Sequence, residues 1–283
     1  MDPSGAGDRT IEAVVFDVDG TLLRGTEPIP GAAEALRVVR EAGLSVLCCS
    51  NNPIEAPAAY ADRLERAGLA VDPSEVLTSG VVTADFLARE YPEAGTFVVG
   101  EAGLVELLED RGVRVVADPD RAGVVLASID RSFDYDRLTA ALRAFDAGDP
   151  AFLGTDPDRT IPGEGGPFPG SGAIVEAVAS VAGRPPDRVL GKPDPATREA
   201  ALARLSVPPE RCLVVGDRID TDVALGARAG METALVLSGV TDREDLKGPR
   251  TGDRDGPRTD GRDRPTPDHV LDSVAGVPDL IDR

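Results

Sequence analysis

The stretch Val14-Val15-Phe16-Asp17-Val18-Asp19-Gly20-Thr21-Leu22 decides the fold. Residues Ala13–Phe16 are apolar without alternation, a pattern typical of a short strand that is buried on both faces. Two aspartates at i and i+2 follow, and the glycine and threonine after them indicate that the strand ends there. In open α/β sheets, ligands bind at the carboxyl ends of parallel strands. The stretch therefore predicts a strand that carries Asp17 and Asp19 to a ligand site.

Taken alone, this motif has a simpler interpretation, because strands commonly end in acidic turns. A calcium-binding EF-hand loop is excluded, since its glycine occupies the sixth position and Gly20 occupies the fourth. A strand followed by Asp17-x-Asp19-Gly20-Thr21 also indicates metal-assisted phosphoryl chemistry. That interpretation requires the other parts of such a site to follow later in the chain.

The composition limits the class of protein. With 283 residues the chain is long enough to bury a substantial core, and two domains are expected. The sequence has no charged and apolar leader and no run of about 18 apolar residues, so neither a signal peptide nor a membrane span is expected. The three cysteines lie in apolar runs without ligand-like spacing, which predicts buried thiols in a reducing cytoplasm.

The charge balance is strongly acidic. Fifty acidic residues against thirty basic ones give a formal charge of -20. Such a field repels nucleic acid and anionic membranes, so we expect neither as a partner. Self-repulsion of this size is tolerated where salt screens it within about 3 Å, as in molar salt. The composition favours a halophilic protein of a salt-rich cytoplasm, with an acidic protein of ordinary salt as the alternative.

Three further motifs are found later in the chain: two directly follow apolar runs, and one lies in a proline-rich turn. The run 44–49 ends in Ser50-Asn51-Asn52-Pro53, whose polar groups could donate to an anion or simply cap a turn. Lys192, one of only two lysines in an arginine-rich chain, lies in Gly191-Lys192-Pro193-Asp194-Pro195, which suggests that a compact ammonium is required there. The run 211–215 ends in Gly216-Asp217-Arg218-Ile219-Asp220-Thr221-Asp222. Helix capping could explain the later aspartates of that segment, but not Asp217, which directly follows the strand.

The remaining segments suggest a domain organisation. From residue 81 the alternation of helix and strand patterns restarts as a second α/β unit. Residues 248–268 contain only Gly, Pro, Arg, Thr and Asp and are expected to be disordered. The only histidine, His269, lies far from every motif, which argues against a catalytic role.

The ordered set Asp-x-Asp-Gly-Thr, Ser-Asn, Lys and Gly-Asp-x-x-x-x-Asp resembles the haloacid dehalogenase (HAD) superfamily. The long insertion between the second and third motifs is similar to that of the NagD-type, 4-nitrophenylphosphatase-like (class IIA) branch. The resemblance implies an α/β fold: a Rossmann-like core with a central parallel sheet, and an α/β cap domain inserted between those motifs. The expected boundaries are 1–80 for the first part of the core, 81–184 for the cap and 185–283 for the second part of the core.

The resemblance also implies roles for the acidic residues. Asp17 would be the nucleophile that forms an aspartyl-phosphate, and Asp19 would act as the general acid and base. Mg²⁺ would be held by Asp17, the backbone carbonyl of Asp19, and Asp217, with Asp222 supporting from nearby.

The polar residues complete the implied site. Ser50 and Lys192 would bind the phosphoryl oxygens, and Asn51 would contribute to substrate binding by orienting the site. The expected partner is a small phosphate ester: phosphoglycolate, a sugar phosphate, a nucleotide monophosphate or 4-nitrophenyl phosphate. The cap would contact its leaving group, with Asp156-Pro157-Asp158 and the loop that follows to Ser171 as candidates, and could mediate a homo-oligomer.

Other functions remain open at this point. Dehalogenases of the superfamily lack the second acid, so Asp19 favours a phosphatase over a dehalogenase. A catalytically silent protein of the same fold that binds a phosphorylated ligand is disfavoured because every catalytic position is filled. A phosphoryl-transferring mutase would require a cap that excludes water.

Overall fold

The computed structural model describes residues 10–162, 166–247 and 264–281. The strands of these ranges are β1 (Ala13–Phe16), β2 (Leu23–Arg24), β3 (Glu27–Pro28), β4 (Ser45–Ser50), β5 (Val76–Thr78), β6 (Thr96–Val99), β7 (Val124–Ala127), β8 (Ala151–Gly154), β9 (Thr160–Ile161), β10 (Phe168–Pro169), β11 (Arg188–Val189), β12 (Cys212–Gly216), β13 (Glu232–Val236) and β14 (His269–Leu271).

The α-helices within the same ranges are α1 (Ala32–Glu41), α2 (Pro57–Arg66), α3 (Ser79–Glu90), α4 (Ala102–Asp110), α5 (Tyr135–Ala147), α6 (Ser171–Ala182), α7 (Pro195–Leu205), α8 (Ala224–Ala229) and α9 (Pro278–Ile281). None of the helices described is long and apolar enough to cross a bilayer.

The larger sheet has six strands in the order β14-β13-β12-β1-β4-β5, and every neighbouring pair is parallel. The first strand lies between β12 and β4, so the deciding stretch of the sequence occupies the middle of the sheet. Its four residues are fully buried, as the unbroken apolar run predicts. Val14 and Phe16 face one apolar cluster, and Ala13 and Val15 face the other.

The two clusters cover the two faces of this sheet. The first contains the buried faces of α1 and α2, including Leu36, Val39 and Leu64. The second contains Leu47 of β4 and Leu87 of α3, and it continues to Leu126 of the smaller sheet. One continuous apolar cluster therefore joins the two sheets.

The smaller sheet is also parallel, with the order β11-β8-β7-β6. Helices α5 and α6 contribute Ala141, Ala144 and Val178 to a separate cluster on it. The edge strand β11 comes from residues 188 and 189, beyond the boundary expected at residue 184. Two short antiparallel hairpins, β2–β3 and β9–β10, lie outside both sheets.

The α/β architecture predicted from the sequence is confirmed, with a Rossmann-like core and an inserted second α/β unit. The expectation of disorder over 248–268 has two outcomes. Residues 248–263 lie outside the described ranges. For residues 264–268 the expectation is wrong, because their polar side chains pair with the folded chain. The Arg264 guanidinium donates to the Asp245 carbonyl at 2.9 Å, and Asp268 accepts from the backbone N–H of Thr233 at 2.9 Å.

Candidate active site

Three neighbouring strands place the candidate residues at one edge of the larger sheet. Asp17 directly follows β1, Ser50 is the last residue of β4, and Asp217 directly follows β12. Lys192 enters from the loop between β11 and α7. The strands are parallel, so their carboxyl ends meet, and side chains from four distant parts of the sequence converge.

The carboxylates of Asp17, Asp217 and Asp222 form a buried cluster. Each offers one oxygen, and these oxygens all lie within 4.8 Å of one another. A π-helical turn over Ile219–Val223 leads into α8 and carries Asp222 back toward the strand ends. Burial raises the pKa of Asp17 well above its ordinary value, while Lys192 opposes that shift. Burial and the neighbouring Asp222 raise the pKa of Asp217 to about 7.

Lys192 is the cation of this cluster. Its ammonium lies 2.6 Å from Asp17 Oδ1 and 2.8 Å from Asp222 Oδ1, and it donates to the Cys49 carbonyl at 2.7 Å. Burial alone would lower its pKa, but the two carboxylates hold the pKa well above its ordinary value. The ammonium is therefore charged; it donates hydrogen bonds to Asp17 and to the Cys49 carbonyl, and it forms an ion pair with Asp222.

The cluster has the properties of a divalent-cation site. Three carboxylates face one ammonium, which leaves two negative charges in excess when all of them are ionised. Asp217 Oδ2 accepts from the Val240 backbone N–H at 2.6 Å, whereas its buried Oδ1 has no hydrogen-bond partner among the residues described. Carboxylate oxygens are the ligands that Mg²⁺ prefers. The donor set therefore fits Mg²⁺.

Gly20 permits the close approach of Asp217. Its φ of +105° is a backbone conformation that residues with a side chain rarely adopt. A Cβ at this position would lie 2.7 Å from the Asp217 carboxylate carbon. The glycine of the Asp-x-Asp-Gly-Thr motif thus makes room for a carboxylate from the other end of the chain.

Asn51 organises the loop that carries Lys192. Its side-chain oxygen accepts from the Lys192 backbone N–H at 2.7 Å, and its amide donates to Asp158 at 3.3 Å. Ser50 is buried, and its Oγ accepts from the Asn52 backbone N–H at 3.1 Å. Ser50 therefore lies at the end of β4, whereas Asn51, the next residue, holds the loop that carries Lys192.

A cleft of about 800 Å³ between the core and the inserted unit is lined by Asp17, Ser50, Asn51, Lys192 and Asp217. Asp158 of the inserted unit lies 3.8 Å from the Arg218 guanidinium, which also donates to the Thr160 carbonyl at 3.1 Å. Asp156 is buried beside them, and burial together with Asp158 raises its pKa to about 8. The candidate segment Asp156-Pro157-Asp158 therefore reaches the cleft.

Comparison with known proteins agrees with this arrangement. A family model described as haloacid dehalogenase-like hydrolase matches residues 14–114, and a HAD-hydrolase-like model matches residues 189–277. The sugar-phosphatase AraL of Bacillus subtilis (strain 168) is 32% identical over 95% of this chain and 93% of its own length. The chain belongs to the HAD superfamily.

Within the HAD superfamily the chain is of the NagD and 4-nitrophenylphosphatase type (class IIA). The p-nitrophenyl phosphatase from Archaeoglobus fulgidus is 36% identical, with a TM-score of 0.84 over 95% of this chain and 99% of that one. NagD from E. coli K-12 is 32% identical, with a TM-score of 0.78 over 94% of this chain and 98% of that one.

The sequence reasoning missed the partners of Asp19 in this HAD chain. Asp19 lines the cleft, and its carboxylate contacts Tyr60 at 2.9 Å and Arg63 at 3.2 Å, both on α2. The i, i+3 spacing places the two on one side of the helix. That spacing was the available signal, but it does not reveal that the helix passes beside Asp19.

Proposed function

We propose that the protein is a Mg²⁺-dependent phosphatase that hydrolyses small phosphate monoesters through an aspartyl-phosphate on Asp17. The observation that carries the proposal is the buried cluster of Asp17, Asp217 and Asp222 at the strand ends, in contact with Lys192. The resemblance to proteins named sugar phosphatase and p-nitrophenyl phosphatase supports it.

Two aspartates carry the covalent steps. The Asp17 carboxylate attacks phosphorus, the bond from phosphorus to the leaving oxygen breaks, and that oxygen takes a proton from Asp19. In the second step water attacks the same phosphorus and gives a proton to Asp19. Phosphate leaves, and the Asp17 carboxylate is restored. Each step is an in-line displacement.

The donors around the cluster stabilise the charge of the transferring group. Lys192 already contacts Asp17 at 2.6 Å, so it lies within reach of a phosphoryl group attached there. The Ser50 hydroxyl at the neighbouring strand end is a second donor. Fixed donors aimed at developing negative charge are worth about 10²- to 10³-fold each in rate. Asn51 acts through Lys192, because it holds the lysine backbone.

Asp17 and Asp217 would hold Mg²⁺, with the Asp19 backbone carbonyl as a further ligand and Asp222 in support. The ion would neutralise phosphoryl charge and make phosphorus more susceptible to attack. Asp222 also forms an ion pair with the Lys192 ammonium, and it lies beside the carboxylates that would bind the metal.

The inserted unit is proposed as the element that selects the leaving group. Its Asp156 and Asp158 reach the cleft beside the proposed phosphoryl site. Phosphoglycolate, sugar phosphates, nucleotide monophosphates and 4-nitrophenyl phosphate are the candidate esters. A panel of these esters, assayed in high salt, identifies the preferred class.

Release of phosphate from 4-nitrophenyl phosphate tests the proposed function. Activity should require Mg²⁺, vanish with a chelator, and return when the ion is restored. Asp17→Asn should lower turnover by several orders of magnitude, because it removes the attacking charge and a metal ligand. Activity of Asp17→Asn without metal would overturn the mechanism. Phosphate binding by the unaltered protein without turnover of any ester would instead indicate a silent ligand-binding protein.

The acidic composition supports a proposed setting for this activity. A formal charge of -20 favours a salt-rich cytoplasm, where small phosphate esters rather than nucleic acids or membranes are the expected partners. A homo-oligomer formed through the inserted unit remains a proposal, which the mass of the protein in solution tests.

A further inference from the structure

Tyr60 is buried beneath the cleft and touches two of its functional groups. Its hydroxyl lies 2.9 Å from Asp19 Oδ2 and 2.8 Å from Ser50 Oγ. Burial raises the pKa of the phenol well above its ordinary value, so the hydroxyl keeps its proton. A phenol has one proton, so once Asp19 has given up its own proton and its carboxylate can only accept, the phenol donates to it. The Ser50 hydroxyl then either donates to the phenol oxygen or turns its proton toward the cleft.

Arg63 contacts the same carboxylate. Its two terminal nitrogens lie 3.2 Å and 3.4 Å from the two oxygens of Asp19. Its guanidinium also lies 4.3 Å from the centre of the Tyr60 ring, and it forms an ion pair with Glu55 at 3.6 Å. The pairing of two nitrogens with two oxygens restricts both the position and the rotation of the carboxylate.

Asp19 otherwise has freedom to move, since about 36% of its side chain is exposed at the cleft. A general acid must point its proton at the leaving oxygen, and small displacements lower its rate contribution. We propose that Tyr60 and Arg63 are positioning residues that hold Asp19 in the orientation needed for proton transfer to the leaving group. The inference rests on the proposed function, because it assigns a task to residues around its general acid.

A defect in proton transfer changes how the rate depends on the leaving group, whereas a purely structural defect does not. As the bond from phosphorus to the leaving oxygen breaks, a proton from Asp19 neutralises that oxygen. The leaving group of phenyl phosphate is phenolate. Its conjugate acid, phenol, has a pKa of about 10, like the side chain of tyrosine, so a proton strongly assists its departure. The 4-nitrophenolate anion is more stable and benefits much less. Loss of positioning should therefore slow phenyl phosphate more than 4-nitrophenyl phosphate.

The experiment measures kcat/KM for a series of ring-substituted phenyl phosphates with Mg²⁺. This parameter reports the steps up to the first irreversible transfer, so hydrolysis of the phosphoenzyme does not obscure it. Tyr60→Phe keeps the ring and removes the hydroxyl. We expect it to lower kcat/KM about 10-fold for phenyl phosphate and less than about 3-fold for 4-nitrophenyl phosphate, a fraction of the full effect of a general acid.

Three further variants complete the design. Arg63→Met keeps an unbranched stem over the Tyr60 ring and removes the guanidinium. It should also make kcat/KM depend more steeply on the leaving group. This variant provides the test if Tyr60→Phe does not fold. Tyr91→Phe is the matched control, since its ring packs against Phe86 outside the cleft. Asp19→Asn should show the steepest dependence on the leaving group.

The outcomes separate the inference from the proposed function. If Asp19→Asn slows all phenyl phosphates equally, Asp19 is not the general acid and that part of the proposed function fails. If Asp19→Asn discriminates between them but Tyr60→Phe and Arg63→Met slow every ester by one common factor, or match Tyr91→Phe, the positioning role is overturned.

Discussion

Substitution of Lys192 by arginine keeps the charge of the site and changes only its shape. The ammonium sits among Asp17 Oδ1 at 2.6 Å, Asp222 Oδ1 at 2.8 Å and the Cys49 carbonyl at 2.7 Å. Asp17 and the Cys49 carbonyl accept hydrogen bonds from this compact head group, and Asp222 forms an ion pair with it. A guanidinium is planar and larger, so its donors cannot reach three acceptors arranged around one point.

The size of the effect follows from the bonds that are lost. Only about 3% of the Lys192 side chain is exposed, so a longer side chain has no open space to enter. Hydrogen bonds to charged groups contribute about 1.5–3 kcal/mol each. Loss of one or two of them, with displacement of the Asp17 nucleophile, should lower kcat/KM at least ~10²-fold, the effect of removing one transition-state donor.

The assay compares kcat/KM for 4-nitrophenyl phosphate in Lys192→Arg and Lys247→Arg. Lys247 is the only other lysine in the chain, and it ends a short 3₁₀ helix that follows the cleft-lining residues in sequence. We expect Lys247→Arg to match the unaltered enzyme. Equal effects of the two substitutions, or full activity of Lys192→Arg, would refute the claim that the site requires an ammonium.

Two further predictions concern stability. With a formal charge of -20, the melting temperature measured by circular dichroism should fall as potassium chloride is diluted from molar to tens of millimolar, and a flat series would contradict salt adaptation. Asp156 keeps its proton in the folded chain up to a pKa of about 8 but loses it near 3.8 when unfolded, so the native state binds more protons between these values. Its contribution to the free energy of unfolding therefore falls as pH rises through this range, by several kcal/mol at about 1.4 kcal/mol per unit. Asp156→Asn has no such proton to lose. The melting temperature of this variant minus that of the unaltered protein should therefore increase from pH 5 to pH 8. A difference that does not change with pH would refute this assignment.

The sequence predicted the parts of the site that follow from strand patterns. Asp17 and Asp217 directly follow unbroken apolar runs, and such runs end at the edge where parallel strands meet. Lys192 was predicted from residue type, because a lysine is unusual in this arginine-rich chain. The structure brings it within 2.6 Å of Asp17, which is 175 residues away in the sequence.

Other features depend on packing that no local pattern records. Tyr60 reads as an ordinary core residue of an amphipathic helix, and only the placement of α2 brings its hydroxyl to Asp19. The two residues of β11 are too few for a strand pattern, so the sequence could not show that the smaller sheet extends past residue 184. Residues 264–268 resemble the low-complexity segment before them, and their partners lie far away in sequence.

The stereochemistry of hydrolysis at phosphorus tests the central claim most directly. A phenyl phosphorothioate made chiral with oxygen isotopes is hydrolysed in water enriched in a third isotope, and the configuration of the product thiophosphate is determined. Attack by Asp17 followed by attack of water inverts the configuration twice, so we predict net retention. Net inversion would mean that water displaces the leaving group directly, and it would contradict the aspartyl-phosphate on Asp17.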